Sequence, residues 1–360
     1  MNHHQEPQEM LKDIIRISRY AMYIALLALS GIVLSIYALN RSSGERTVPV
    51  NNKKTASAHT EGGAKALMPV ARVFPADSWK APNESTIPKG KEGETIRYGK
   101  ALIAHTAVYL GPKGKVARIS NGMNCQNCHN EAGTKLYGLN YAAVAATYPQ
   151  FKARSNKIVS IAERINGCFQ RSLNGKPLDT ASEEMQAMIA YMKWLGRNVP
   201  KGQKPAYTAV EKLAFLDRAA DPARGKVVFA ANCQSCHGAN GQGLLNTAGN
   251  EFIYPPLWGE NSYNDGAGLY RIGNFAGFVK NNMPFGVNYE HPVLTDEEAW
   301  DVAAFVNAQE RPHKDQSEDW KDLAKKPLDL PVGPYVDGFS EQQHKYGPFQ
   351  PIAEALKHQN

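Results

Sequence analysis

Four of the five cysteines in this 360-residue chain fall in two identical patterns, Cys125-x-x-Cys128-His129 and Cys233-x-x-Cys236-His237. Two thiols one helical turn apart can each close a thioether, and the adjoining histidine offers an imidazole to an iron. This is the attachment signature of c-type haem. The same residues could form half a zinc site or a dithiol redox pair. Zinc would call for two further Cys or His close by, and a redox pair for a βαβ setting. Neither is evident, so two covalently bound haem c groups are expected, with His129 and His237 as iron ligands.

Each haem iron then has a sixth position. In the second half, Asn282-Met283-Pro284-Phe285-Gly286 places a methionine in a loop 46 residues after His237, stiffened by the proline. A thioether ligand raises the potential and suits a haem from which electrons leave. Lys280 and His291 are rivals for the position, and a methionine filling a core gap is the bland alternative. The first half has no Met-Pro loop, Met123 lies too near the attachment motif, and His105 sits on an expected helix. That leaves the surplus Cys168, 39 residues after His129. A lone cysteine is ordinarily a small buried hydrophobe. Here Arg154, Arg164 and Arg171 would favour its thiolate and could bind a small oxyanion. As a ligand the thiolate would lower the haem potential and keep a polarisable sulfur at the iron.

The elements that must hold these residues are mainly helical. Residues 92–105 read as one helix, Thr180 with Glu183 as a capping box before a second, and Met185, Met188, Ile189, Met192 and Leu195 share one face of it, read as core. A helix over 222–231 and another over 299–309, capped by Thr295 and Glu298, give the second half the same plan. That plan is helix, Cys-x-x-Cys-His, long irregular loop, terminal helix. The expected fold is mainly α, two cytochrome-c-like haem domains in tandem after an N-terminal transmembrane helix. The boundaries are 1–19 cytoplasmic N-terminus, 20–39 transmembrane anchor, 40–70 flexible tether, 71–205 catalytic domain, 206–312 electron-transfer domain and 313–360 tail. The tail is expected to wrap the domains or stay partly disordered, and offers no motif.

The 20–39 stretch is uncharged and long enough to span a bilayer, and Lys12, Arg16 and Arg19 before it place the N-terminus in the cytoplasm. A cleaved signal peptide is the competing reading, and its apolar core is shorter. Either way the haem domains are exported, to the periplasmic side of the inner membrane for an uncleaved single-pass anchor. Charge is uneven: residues 71–205 carry 20 basic and 9 acidic groups, residues 206–360 carry 13 and 20. The basic excess therefore sits in the domain of Cys168 and favours small anions. A solvated basic face would look the same. No nucleic-acid partner is expected.

Arg164-x-Asn166-x-Cys168-Phe169-x-Arg171-Ser172-x-Asn174-Gly175, with the first Cys-x-x-Cys-His, resembles the dihaem thiosulfate dehydrogenase/tetrathionate reductase family. The segments 254–259 (YPPLWG), 264–268 (NDGAG) and 282–286 (NMPFG) look the same, so the resemblance spans roughly 90–312. It implies His/Cys ligation at the active-site haem and interconversion of two thiosulfates with one tetrathionate. By motif position it implies anion-binding or catalytic roles for Arg154, Arg164 and Ser172. Some members place a lysine directly before the methionine; here that residue is Asn282. The expected electron route is haem 1 to haem 2 to a soluble cytochrome c or a membrane oxidase. A membrane-tethered dihaem carrier without catalysis would account for the haems, anchor and tether equally but leave the arginines beside Cys168 without a role. A dihaem peroxidase would require an open or vacatable iron site with a nearby acid–base group.

Overall fold

The computed structural model describes Tyr20 and residues 72–357. The expected N-terminus (1–19), anchor (20–39) and tether (40–70) lie, Tyr20 apart, outside the described residues. Among the described residues no helix is long and apolar enough to cross a membrane. Residues 72–357 fall within one compact unit.

The longer helices of the first half are α1 (Lys91–Ala104), α2 (Ile161–Arg171) and α3 (Glu183–Leu195). Those of the second half are α4 (Pro222–Asn232), α5 (Ile272–Asn282) and α6 (Asp296–Ala308), and the tail adds α7 (Glu341–Tyr346) and α8 (Gln350–Lys357). Two antiparallel ribbons complete the set: β1 (Gln150–Lys152) with β2 (Lys157–Val159), and β3 (Leu244–Leu245) with β4 (Phe252–Tyr254).

Both halves use one packing device. The first and last helices, α1 with α3 and α4 with α6, pack on each other, and each pair meets at a glycine. A Cβ on Gly99 would lie 1.9 Å from the Ala187 carbonyl oxygen, and one on Gly225 would lie 1.9 Å from that of Asp301. Only a residue without a side chain lets the backbones approach so closely. The methionine stripe is core as expected: Met185 and Met188 are fully buried, and Met192 and Leu195 nearly so. Local caps set the helix starts. Thr295 and Glu298 form the expected reciprocal box at α6, while Asp221 caps α4, with Pro222 at the first helical position.

Two expectations are corrected. Thr180 does not cap α3: the helix begins at Glu183, so the capping residue is Ser182, whose hydroxyl accepts from Met185 N at 3.3 Å. The Thr180 carbonyl instead takes the Gln186 side chain. Cys168 lies not in an irregular loop but on α2. That helix starts at a Ser160/Glu163 capping box, worth about 1 kcal/mol, and buries Ile165 and Phe169 four residues apart.

The described part of the tail packs against both halves, meeting Arg154 and Arg171 of the first and a buried face of the second. Phe349 and Ile352 are buried, Phe349 lies 5.6 Å from the Trp300 ring, and Ala220 N donates to Tyr346 O at 2.8 Å.

Candidate functional site

The first site grows from the base of α2. Ser160 and Glu163 fix its first turn, and Ile165 and Phe169 pin one face in the core. Cys168 is thereby presented to a cavity of about 320 Å³ whose wall includes Cys125, Cys128 and His129. His129 Nδ1 donates to the Leu139 carbonyl at 2.5 Å, and the ring stacks on Tyr141 at 4.6 Å. Donation from Nδ1 fixes the tautomer and leaves Nε2 as the nitrogen available to a metal.

Arg164, one turn before Cys168 on α2, brings Nη1 to 2.9 Å from the Cys168 sulfur. Burial alone would raise the thiol's pKa, but Arg164, His129 and Arg154 together outweigh it and pull the group down to about 6. The sulfur in turn holds Arg164 cationic. Cys125 and Cys128 share the burial without the cations and are pushed up to about 12. The structure therefore distinguishes one thiol from its two neighbours by charge.

Arg164 and Ser172 line the cavity, and so do Lys152 on β1 and Lys204 in the interdomain stretch. Neither lysine was singled out from sequence; the basic excess of 71–205 was the only available signal. Burial, Arg164, Lys204 and Arg154 all lower the Lys152 pKa, the mark of clustered cations. Arg154 is likewise lowered to about 10 by burial and by Arg171 and Arg164. Neither Arg154 nor Arg171 lines the cavity. Arg171 binds the tail, with Nη2 2.9 Å from Asp319 Oδ1 and Nη1 donating to Gly266 O at 3.4 Å. The Trp320 amide donates to Arg154 O at 2.8 Å. Asp319, 148 residues from Arg171, gave no local signal in the sequence.

The second cavity, about 540 Å³, is lined by Cys233, Cys236, His237 and Met283. His237 repeats the arrangement of His129: it is buried and donates from Nδ1 to Pro255 O at 2.8 Å. Its rivals for the opposite side are engaged or absent from the wall. Lys280 gives its ammonium to Leu294 O at 2.5 Å and Asp296 at 2.8 Å, and His291 does not line the cavity. Each cavity thus offers two thiols, an imidazole with Nε2 available and a further sulfur, a donor set that fits covalently attached haem. Met123, Asn127 and Cys128 line both cavities, so one segment is a wall of each.

Comparison with known proteins agrees with this construction. Residues 115–200 match the model of the SoxA/TsdA cytochrome c domain, and residues 222–310 match that of cytochrome c. Among curated proteins, the thiosulfate dehydrogenase of Psychrobacter arcticus is 39% identical over 244 residues, covering 67% of this chain and 71% of the relative. That of Allochromatium vinosum is 36% identical over 253 residues, covering 69% of this chain and 90% of the relative. The chain belongs to the thiosulfate dehydrogenase family.

Both halves are therefore cytochrome c domains and carry covalently attached haem c. A solved thiosulfate dehydrogenase of this family, TsdBA from Marichromatium purpuratum in its as-isolated form, matches with a TM-score of 0.61 and 34% identity. It covers 66% of this chain, which in turn spans half of that longer one. The two matched family models stop short of the tail that carries Asp319 and Trp320.

Proposed function

We propose that this chain joins two thiosulfates into tetrathionate, or runs the reverse, passing electrons from the first haem to the second and on to an external acceptor. The observation that carries this reading is Cys168: a sulfur facing His129's cavity with an arginine nitrogen 2.9 Å away. In this reading Cys125 and Cys128 hold haem 1 by thioethers, with His129 and Cys168 on its iron. Cys233, Cys236, His237 and Met283 do the same for haem 2. Haem c supplies a one-electron acceptor at each site.

The reaction's bookkeeping is simple: two thiosulfate dianions form one bond between their sulfane sulfurs and two electrons leave. No proton moves, so the residues are not asked for acid–base work. Their task is electrostatic. Two unit charges 4 Å apart repel by about 4 kcal/mol at an effective dielectric of 20, and here two dianions must meet. Arg164, with Arg154 behind it, supplies fixed positive charge beside Cys168, and the Ser172 hydroxyl adds a donor at the wall. Lys152 and Lys204 extend the charge along the cavity. The wall shared by the two cavities, at Met123, Asn127 and Cys128, supports electron passage between haems.

Residues 20–39 are proposed to anchor the chain in the inner membrane, with both haem domains on the periplasmic side. There a soluble cytochrome c or a membrane oxidase would accept electrons. Purified holoprotein given thiosulfate and an artificial acceptor is expected to yield one tetrathionate per two electrons. Haems reducible by dithionite but inert to thiosulfate would leave only an electron carrier.

Lys152→Gln and Lys204→Gln are each expected to raise KM for thiosulfate about fivefold, from about 1 kcal/mol per partly exposed charge, with kcat little changed. The ionic-strength dependence of kcat/KM should flatten in both variants. Unchanged salt dependence would remove these lysines from the substrate path.

A further inference from the structure

Met283 closes α5, its amide donating to Val279 O at 3.0 Å, and the chain then leaves the helix. Residues 284–291 bond within themselves: Val287 N to Pro284 O, and the amides of Glu290 and His291 to the Asn288 side chain. Phe285 is 85% exposed and Val287 is the loop's one buried apolar side chain, so the loop depends on its hydrogen bonds as well as on packing. Among the described residues, the hydrogen bonds tying it to the rest of the chain come from outside its domain. Lys135 Nζ donates to Val287 O at 2.8 Å, Arg72 Nε to Tyr289 O at 2.8 Å, and Phe74 N to Glu290 Oε1 at 3.2 Å.

Arg72 donates from two of its three guanidinium nitrogens. Besides Tyr289 O, it donates from Nη2 to Glu211 Oε2 at 2.6 Å and to Asn281 Oδ1 at 2.9 Å. Its guanidinium carbon lies 4.2 Å over the Tyr289 ring. Asn281 donates to the same Glu211 oxygen at 2.9 Å. Two residues along, the Phe74 ring packs among Tyr137, Tyr207 and Tyr289, at 6.2, 5.1 and 4.9 Å. Tyr137 belongs to the first domain, in the loop after Cys125-x-x-Cys128-His129. Its amide donates to Tyr207 O at 2.7 Å, and its carbonyl accepts from the side chain of Asn282, beside Met283, at 3.1 Å.

We propose that residues 72–74 and Tyr137, together with Glu211 of the second domain, form a strap that positions the loop of Met283, so that the second haem's sulfur ligand is held in part from outside its own domain. The inference rests on the reading of Met283 as that ligand. A thioether is a neutral, weak donor, and its bond depends on the polypeptide keeping the sulfur in place. A planar guanidinium satisfying three acceptors at once does this in a way lysine's single ammonium cannot. These are positioning residues; none of them lines the second cavity.

The test uses the full-length holoprotein and reads the second haem directly. The readouts are the red-edge absorption band of a thioether on ferric haem, the midpoint potential, and displacement of the sulfur by added imidazole. Arg72→Gln is expected to tighten imidazole binding at haem 2 about tenfold, the equivalent of losing one charge-assisted hydrogen bond. It should also lower the potential of haem 2, with the haem 1 resonance signal unchanged. Arg72→Lys should fall between, and Glu211→Gln combined with Arg72→Gln should add little, because both cut one network. A native band, potential and imidazole affinity in Arg72→Gln would overturn the strap. Equal disturbance of both haems would also overturn it, marking general structural damage. Met283→Ala separates the premise: if that variant keeps the thioether band, the ligand assignment fails, whatever Arg72→Gln does.

Discussion

Cys168→Gly is expected to leave both haems attached and to cut thiosulfate turnover by at least about a hundredfold. Losing even an outer-shell partner of a metal ligand typically costs 10–100-fold, and this residue is proposed to touch the iron and the reacting sulfur. The haems should remain because attachment depends on Cys125, Cys128, Cys233 and Cys236, none of which Cys168 supports covalently. The fold should remain because the face of α2 buried in the core is Ile165 and Phe169. The variant frees Arg164 from its 2.9 Å sulfur contact, so thiosulfate binding is expected to survive while chemistry is lost. Steady-state assay with an artificial acceptor, beside low-temperature paramagnetic resonance, decides the matter. A thiolate-type low-spin signal should vanish from haem 1 and the haem 2 signal should persist. Turnover near that of the native chain would exclude Cys168 from catalysis.

Asp319→Ala is expected to destabilise the protein by about 3 kcal/mol, the lower end for breaking one partner out of a buried pair. The Arg171 and Asp319 side chains are 13% and 11% exposed, and among the described residues no other acidic group is paired with Arg171. The consequence is more than local. Arg154 lies partly buried near Arg164 and Arg171, and Asp319 is a carboxylate that offsets their charge. With it gone, Arg171 and Arg154 repel, and the tail loses its hold where Trp320 meets Arg154 O. The melting midpoint should fall, and limited proteolysis should cut the tail near 315–322 before either haem domain. A midpoint and cleavage pattern like the native chain's would show that the tail's ion pair contributes no stability.

Much of the site was legible because its chemistry imposes spacing. Two thiols and a histidine attach haem only when adjacent in sequence, so both motifs announce themselves. Cys168 and Met283 followed from asking what remained for each iron. The helix beneath Cys168 was missed because its polar residues, Arg164, Asn166 and Gln170, mask an apolar face of only Ile165 and Phe169. Its Ser160/Glu163 box was the signal that could have exposed it. The Ser182 cap was misplaced by two residues because Asp179, Thr180 and Ser182 are all plausible caps, and only the packing of Met185 and Met188 chooses among them. Asp319, Lys152, Lys204 and Arg72 were not legible at all. Their partners are far along the chain or across a cavity, and long-range electrostatic pairs leave no periodicity.

The wall made by Met123, Asn127 and Cys128 bears on how this protein can be dissected. Because that one segment closes both cavities, the halves are not separable modules despite their matching helix pairs and glycine crossings. A fragment beginning near residue 206 would retain every proposed ligand of haem 2, yet its cavity would open to water where the first half normally seals it. Hydration of a haem shifts its potential. Redox values taken from an isolated second half would therefore describe a different electron carrier from the one in the intact chain.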